Sequence, residues 1–225
     1  MTSATIRPDA SLASLALEHA GASRVFHRHG LDFCCQGRTT LADACASSGL
    51  DVNVLAAELV AEARDTDEVA VRWDERPLDE LIDHLLATYH EPHRAELPRL
   101  REMAEKVERV HADKPNRPEG LAAFLEEMHE SLELHMQKEE QMLFPMIRSG
   151  AGRRAAMPVQ VMEQEHLDHA DNLQRLRKLA HQFVPPPEAC TTWKALYLGL
   201  SDLERMLMEH IGLENNVLFP RSLRG

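Results

Sequence analysis

Positive charge is in short supply: 25 Lys and Arg stand against 37 Asp and Glu, a net charge of −12 in 225 residues. That deficit argues against a nucleic-acid backbone or an anionic membrane surface as partner. Long apolar runs are missing too, since none approaches the ~20 residues that a bilayer span needs. The first residues, MTSATIRPDA, lack the apolar core of a signal peptide. Cysteine is sparse, with four residues of which two are adjacent, and this is no secreted disulfide framework. Together these absences describe a soluble cytoplasmic protein with no nucleic acid and no membrane among its partners. Aromatic residues number only ten, whereas histidines number 13 and methionines ten. Histidine enrichment in an acidic chain of this kind suggests metal.

Proline and glycine divide the chain. Residues 1–62 hold short helical stretches (SLASLALEH, TLADACASSG, DVNVLAAELVAEA) around the segment HRHGLDFCCQGR and read as a small helical domain. Residues 63–76, ARDTDEVAVRWDER, are polar without a helical apolar stripe and read as a linker. Residues 77–225 carry four long amphipathic patterns. The first is expected from Pro77 to Val110, kinked or broken at Pro92 and Pro98. The second spans Glu119–Phe144 and stops before Pro145, because the residue ahead of proline disfavours α. The third covers Pro158–Phe183, and the fourth Thr192–Phe219, ahead of Pro220. The fold class expected is all-α, with an up-down-up-down four-helix bundle after the small domain.

The sequence spells His-x-x-x-Glu-x-x-x-Leu-Phe-Pro twice, as HMQKEEQMLFP from His135 and HIGLENNVLFP from His210. Leu121, Leu125, Met128, Leu132, His135, Glu139 and Met142 step by 4 and 3, the seam spacing of a packed helix. Leu196, Leu200, Leu203, Leu207, His210, Glu214 and Val217 repeat those steps. Both His–Glu pairs therefore lie on an apolar stripe. An unpaired carboxylate buried there costs several kcal/mol, on the order given for buried ions. No Lys or Arg occupies these stripe positions to compensate, and a metal ion would. His84, beside Leu81 and Leu85, and His166, on the stripe of Val159, Met162, His166, His169, Leu173 and Leu176, extend the pattern to His, His-x-x-x-Glu, His, His-x-x-x-Glu. Four imidazoles and two carboxylates are too many for one zinc and suit two ions sharing bridging carboxylates, iron before manganese. The plain alternative is a core in which these His and Glu pair with one another. His90 and His93 fall about 240° and 180° around the helix from His84 and are expected to face solvent. His111, His129 and His181 are expected on the surface as well. His169 is open between a seventh ligand and a supporting group, and Glu165 is a weaker supporting candidate.

The whole pattern resembles the hemerythrin-like bundle, and nearly the whole chain resembles the bacterial repair-of-iron-centres proteins. The stretches that carry this are GLDFCCQGRTTL, KVERVHADKP, HMQKEEQMLFPMI, PPPEACTTWKA and HIGLENNVLFPR. The resemblance implies two iron ions, oxo- and carboxylate-bridged, on His84, His135, Glu139, His166, His210 and Glu214, with Glu139 and Glu214 bridging. It implies repair of iron–sulfur clusters damaged by nitrosative or oxidative stress, with iron supplied or NO handled at that site. It further implies damaged iron–sulfur proteins as partners, NO or peroxide as small ligands, and a homodimer. With no flavin or haem motif in the chain, electrons must come from an external donor. Position 170 is Ala where oxygen carriers place a further His, and the last carboxylate is Glu214 where they use Asp, which argues against reversible oxygen carriage. A di-iron nitric oxide reductase and an NO or oxygen sensor are the alternative functions. Cys34 and Cys35 stand as redox, iron-transfer or docking thiols or as core residues, and a disulfide between such neighbours would be strained and easily reduced. Cys45 and Cys190 read as structural.

Overall fold

In a computed structural model, which describes residues 6–66 and 69–224, every regular element is helical. The expected small domain's residues 1–5, the linker's Asp67 and Glu68, and Gly225 lie outside the described residues. The all-α expectation holds, with short helices first and the long helices of a bundle after. No single helix among the described residues is long and apolar enough to cross a membrane. The chain forms two compact units: Met1–Leu81 with Met208–Arg221, and Ile82–Leu207 with Ser222–Gly225.

The first unit holds α1 (Leu12–Glu18), α2 (Ala22–Arg28), α3 (Leu41–Ser48) and α4 (Val52–Asp65). Each start except that of α2 carries a side-chain cap: Ser11, Thr40 and Asp51 accept backbone N–H groups of the first turn. Helix α2 has no such cap, beginning after Gly21 at φ 78, and is the one short helix whose pattern the sequence did not announce. Leu12, Leu15, Val25, Phe26, Leu41, Leu55 and Leu59 are buried. Burying each such Leu contributes about 1.5–3 kcal/mol. Arg24 and Arg28 of α2 reach Glu62 and Glu58 of α4 at 2.7 Å, which clamps the two helices.

The second unit is built on longer helices. Helix α5 (Leu78–Leu85) passes through a π turn, Leu86–His90, into α6 (Glu91–Val110). Helix α7 (Leu121–Lys138) passes through a π turn, Glu139–Leu143, into α8 (Phe144–Arg148). Helix α9 is Ala156–Leu179 and α10 is Thr191–Leu213; from Met208 the end of α10, a third π turn, Glu214–Leu218, and α11 (Phe219–Ser222) as far as Arg221 are grouped with the first unit. Helices α6 and α7 pack along their lengths, burying Leu97, Leu100, Ala104 and Val107 against Leu121, Leu125, Met128 and Leu132. Gly199 of α10 lets Leu100 approach: a Cβ there would lie 2.7 Å from the Leu100 Cδ2.

Three helix ends differ from expectation. The helices expected to stop before Pro145 and Pro220 continue through them, because a π turn precedes each proline. Phe144 N–H donates to the Glu139 carbonyl and Phe219 N–H to the Glu214 carbonyl, both five residues back. Glu91 N–H likewise donates to Leu86, just before Pro92. The widened turn moves the carbonyl that a proline ring would strike, so the prolines sit in a first turn, where the missing N–H has no intrahelical partner. Pro98 lies inside α6. The extra residue also turns the stripe: Met142, expected inside, is 57% exposed, and Leu143 is buried in its place. The third helix ends at Leu179, and His181, Gln182 and Phe183 follow at φ 49, 57 and 60. Left-handed backbone at three non-glycine residues costs roughly 1–2 kcal/mol each.

Candidate metal centre

Within the second unit, His90 closes the first π turn, His135 lies in the last turn of α7, Glu139 opens the second π turn and His166 sits in mid-α9. All four are at most 1% exposed. His135 Nε2 and His166 Nε2 face each other at 3.1 Å. Ligand atoms of His135, Glu139 and His166 all lie within 4.8 Å of one another, as do those of His90 and Glu139. Glu139 divides its oxygens: Oε1 lies 3.4 Å from His135 Nε2, and Oε2 lies 3.5 Å from His90 Nε2. Each oxygen of this carboxylate thus faces a different imidazole.

The outer nitrogens of two of these rings are spoken for. His135 Nδ1 donates to Glu165 Oε2 at 2.9 Å, and Lys138 holds the other Glu165 oxygen. His90 Nδ1 donates to Glu140 Oε1 at 2.7 Å, where Arg94 also donates. A carboxylate only accepts, so each ring carries its proton on Nδ1, which leaves the Nε2 lone pair for the centre. The bond from His135, with Lys138 beside it, pulls the Glu165 carboxyl down to about 2 against its burial. Burial works to raise Glu140, yet Arg94 and His90 hold it below the ordinary carboxylate value. Nitrogen and carboxylate oxygen converging in this way fit an iron-type cation.

His210 and Glu214 belong to the first unit, together with the N-terminal helices. Both are fully buried, with His210 Nε2 3.3 Å from Glu214 Oε1, and Glu214 opens its π turn as Glu139 does. The neighbouring amides serve the thiol loop. Asn215 Nδ2 donates to the Cys34 carbonyl at 3.2 Å, and Asn216 Nδ2 donates to the Phe33 carbonyl at 3.4 Å. Gly212 lies against Phe33 and Cys34, and Gly37 leaves room for Asn216, whose Oδ1 would lie 2.5 Å from a Cβ. Cys34 is buried and Cys35 half-buried, with their sulfurs 3.7 Å apart and no disulfide between them. Cys34 also donates to Asp32 Oδ1 at 3.2 Å. The Cys35 sulfur, then burial and the Asp32 charge, push the Cys34 thiol well above its ordinary value.

Of the histidines expected as ligands, His84 stands elsewhere. It bonds Thr88 Oγ1 through Nδ1 at 3.0 Å and meets the Tyr89 ring edge-on. None of the clusters of metal-type ligand atoms among the described residues includes it, and His90 takes its place. The expectation that His90 and His93 face solvent is likewise corrected, since they are 0% and 1% exposed. The buried run Leu81, Leu85, Tyr89, His93, Leu97 steps by four through the π turn, so a 100° rule carried past Leu85 points the wrong way. The usable signal is the proline two residues after His90, at the end of a π turn as at Pro145 and Pro220. His169 is buried with its ring edge-on to His135 at 4.9 Å. His129 is half-buried and His181 exposed. Cys45 is buried as expected, but Cys190 is exposed at the head of α10, with His111 Nε2 3.3 Å from its sulfur and the His111 ring against Trp193.

Residues 81–222 match the hemerythrin HHE cation binding domain, and residues 8–63 match a domain of unknown function, DUF542. Over 217 residues the chain is 50% identical to the iron–sulfur cluster repair protein YtfE of Escherichia coli O1:K1, covering 96% of this chain and 98% of the relative. The same figures hold for the protein of that name from Escherichia fergusonii. With a cation-binding bundle of the hemerythrin type, the matched N-terminal domain and half of all residues shared along almost its full length, the chain belongs to the family of these iron–sulfur cluster repair proteins.

Proposed function

We propose that His90, His135, Glu139, His166, His210 and Glu214 together hold two iron ions, with Glu139 and Glu214 bridging, and that the chain repairs iron–sulfur clusters damaged by nitrosative or oxidative stress. The observation that carries this reading is the divided posture of Glu139, one oxygen toward His90 and the other toward His135. Glu214 has the matching local setting, at the start of an equivalent π turn and 3.3 Å from His210, as Glu139 is 3.4 Å from His135. Iron held by mixed nitrogen and carboxylate ligands supplies open coordination positions for NO or peroxide and a labile store of metal. The protein's part is to set that balance. Glu165 and Glu140 keep the Nδ1 protons of His135 and His90 in place, so both rings present Nε2. Complete burial of the six residues excludes bulk water from the ligand set. Cys34 and Cys35, tied by Asn215 and Asn216 to the turn that begins with Glu214, serve iron transfer or electron handling. Damaged iron–sulfur proteins are the clients, and electrons come from an external donor.

Anaerobic incubation of the iron-loaded protein with a NO-damaged [4Fe–4S] enzyme tests this. Recovery of client activity with a matching fall in bound iron is expected, and the Glu139→Leu variant should give neither. Catalytic NO consumption with no recovery of the client would replace repair by reductase activity.

A further inference from the structure

The loop that precedes α3 gathers Asp32, Cys34 and Cys35 so closely that their ligand atoms all lie within 4.8 Å of one another. This cluster shares no side chain with the six histidine and glutamate residues proposed above. Deprotonation of the two thiols would put three anions in so small a space, a charge that a divalent cation would offset. The spacing suits one. Two thiolates at ~2.3 Å from a tetrahedral ion sit roughly 3.8 Å apart, and a thiolate and a carboxylate oxygen roughly 3.6 Å apart. Here the sulfurs are 3.7 Å apart and Cys34 Sγ is 3.2 Å from Asp32 Oδ1, so the thiol pair is already at bonding separation and the carboxylate needs to open by a few tenths of an ångström.

The loop is also tied by hydrogen bonds at three points. Asp32 Oδ1 accepts from the Cys35 backbone N–H at 2.8 Å, and the carbonyls of Phe33 and Cys34 are held by Asn216 and Asn215. Cys35 is half-buried, which leaves an approach from solvent, while Cys34 faces inward.

We propose that Asp32, Cys34 and Cys35 form a second cation site, taking one thiophilic divalent cation on two thiolates and one carboxylate oxygen. Uptake replaces the two S–H bonds by two metal–sulfur bonds and releases two protons to solvent, with no change of oxidation state. A fourth position stays open, the arrangement of a site that passes an ion on rather than one that keeps it. That the physiological ion is ferrous iron in transit rests on the repair function proposed above; the existence of the site does not.

The test is an anaerobic titration of the reduced full-length protein with cobalt(II), read as the near-ultraviolet thiolate-to-cobalt charge-transfer band. The band should saturate at about one equivalent per chain, vanish in Cys34→Ser and in Cys35→Ser, and need at least about tenfold more cobalt in Asp32→Asn. A variant lacking Cys45 and Cys190 should retain it. The histidine–glutamate ligands contain no sulfur, so Glu139→Leu should leave the band untouched whatever becomes of iron binding there. Absence of the band while both thiols remain titratable would overturn the proposal, as would a band that survives in both serine variants. Helical content measured on each variant separates loss of the ligand from loss of the fold.

Discussion

At the scale of single residues, the two copies of the repeated motif are most informative where they differ. Five residues after its histidine, the first copy has Glu140 and the second Asn215. Glu140 accepts the His90 Nδ1 proton, whereas Asn215 donates to the Cys34 carbonyl. Two residues after its histidine, the first copy has Gln137 and the second Gly212, which lies against Phe33 and Cys34. One copy thus steadies a neighbouring ring and the other steadies the thiol loop. Glu165→Gln and Glu140→Gln should each weaken metal affinity by about 10–100-fold while leaving helical content unchanged, as expected for a lost carboxylate–imidazole bond behind a ligand; competitive chelator titration measures this. The buried positions of His135, Glu139, His166, His210 and Glu214 were legible from spacing because the helical period holds up to each of them. His90 was not, because the π turn intervenes between Leu85 and His90. Cys190 was misjudged because its partner His111 is distant in sequence. Burial works against its ionisation, but the His111 ring and the N–H groups of Trp193 and Thr192 lower its pKa, while burial raises that of Cys45. Iodoacetamide at neutral pH should therefore label Cys190 well before Cys45, and His111→Ala should slow it severalfold, which peptide mapping would reveal.

At the scale of elements, the recurring device is a π turn ending just before an X-Pro step. Because Pro145 occupies a first turn, Pro145→Ala should change stability by less than about 1 kcal/mol, against the ~3 kcal/mol that a helix-interior proline costs. Chemical denaturation of the two proteins decides it. Helices α9 and α10 are joined by an ion pair: Arg177 Nε donates to Glu204 Oε1 at 2.6 Å, with Glu204 only 2% exposed. Arg177→Met removes that cation from a carboxylate that stays buried, and should cost on the order of 3 kcal/mol. A loss below about 0.5 kcal/mol would show that the pair is no more than a surface bridge in its effect. The four long helices were legible from their stripes, while their ends were not, because rules that treat proline as a stop do not anticipate a widened turn ahead of it.

At the scale of the molecule, the acidic chain is held by ion pairs as well as by its core, and this gives it an acid-sensitive side. In the first unit, the bond from Arg24, with Arg28 assisting against burial, holds Glu62 below its ordinary value of 4.5, and the bond from His29, with Arg28 assisting, does the same for Glu58. Folded carboxyls depressed in this way contribute stability above the unfolded value, and that contribution is lost as pH falls through the lower folded value. The opening free energy of α2 and α4, read from hydrogen exchange after correction for its intrinsic pH dependence, should accordingly fall on acidification below roughly pH 4.5, and Glu62→Gln should flatten that dependence. The all-α class and the long helices follow from patterning, but the grouping of residues 208–221 with the N-terminal helices does not, because it depends on Gly37, Gly212, Asn215 and Asn216 meeting over long sequence separations. The most direct test of the six-ligand assignment is iron per chain in the purified wild type, His84→Ala and His90→Ala proteins. About two irons should remain in His84→Ala and be lost in His90→Ala; iron kept in His90→Ala and lost in His84→Ala would contradict the site described here.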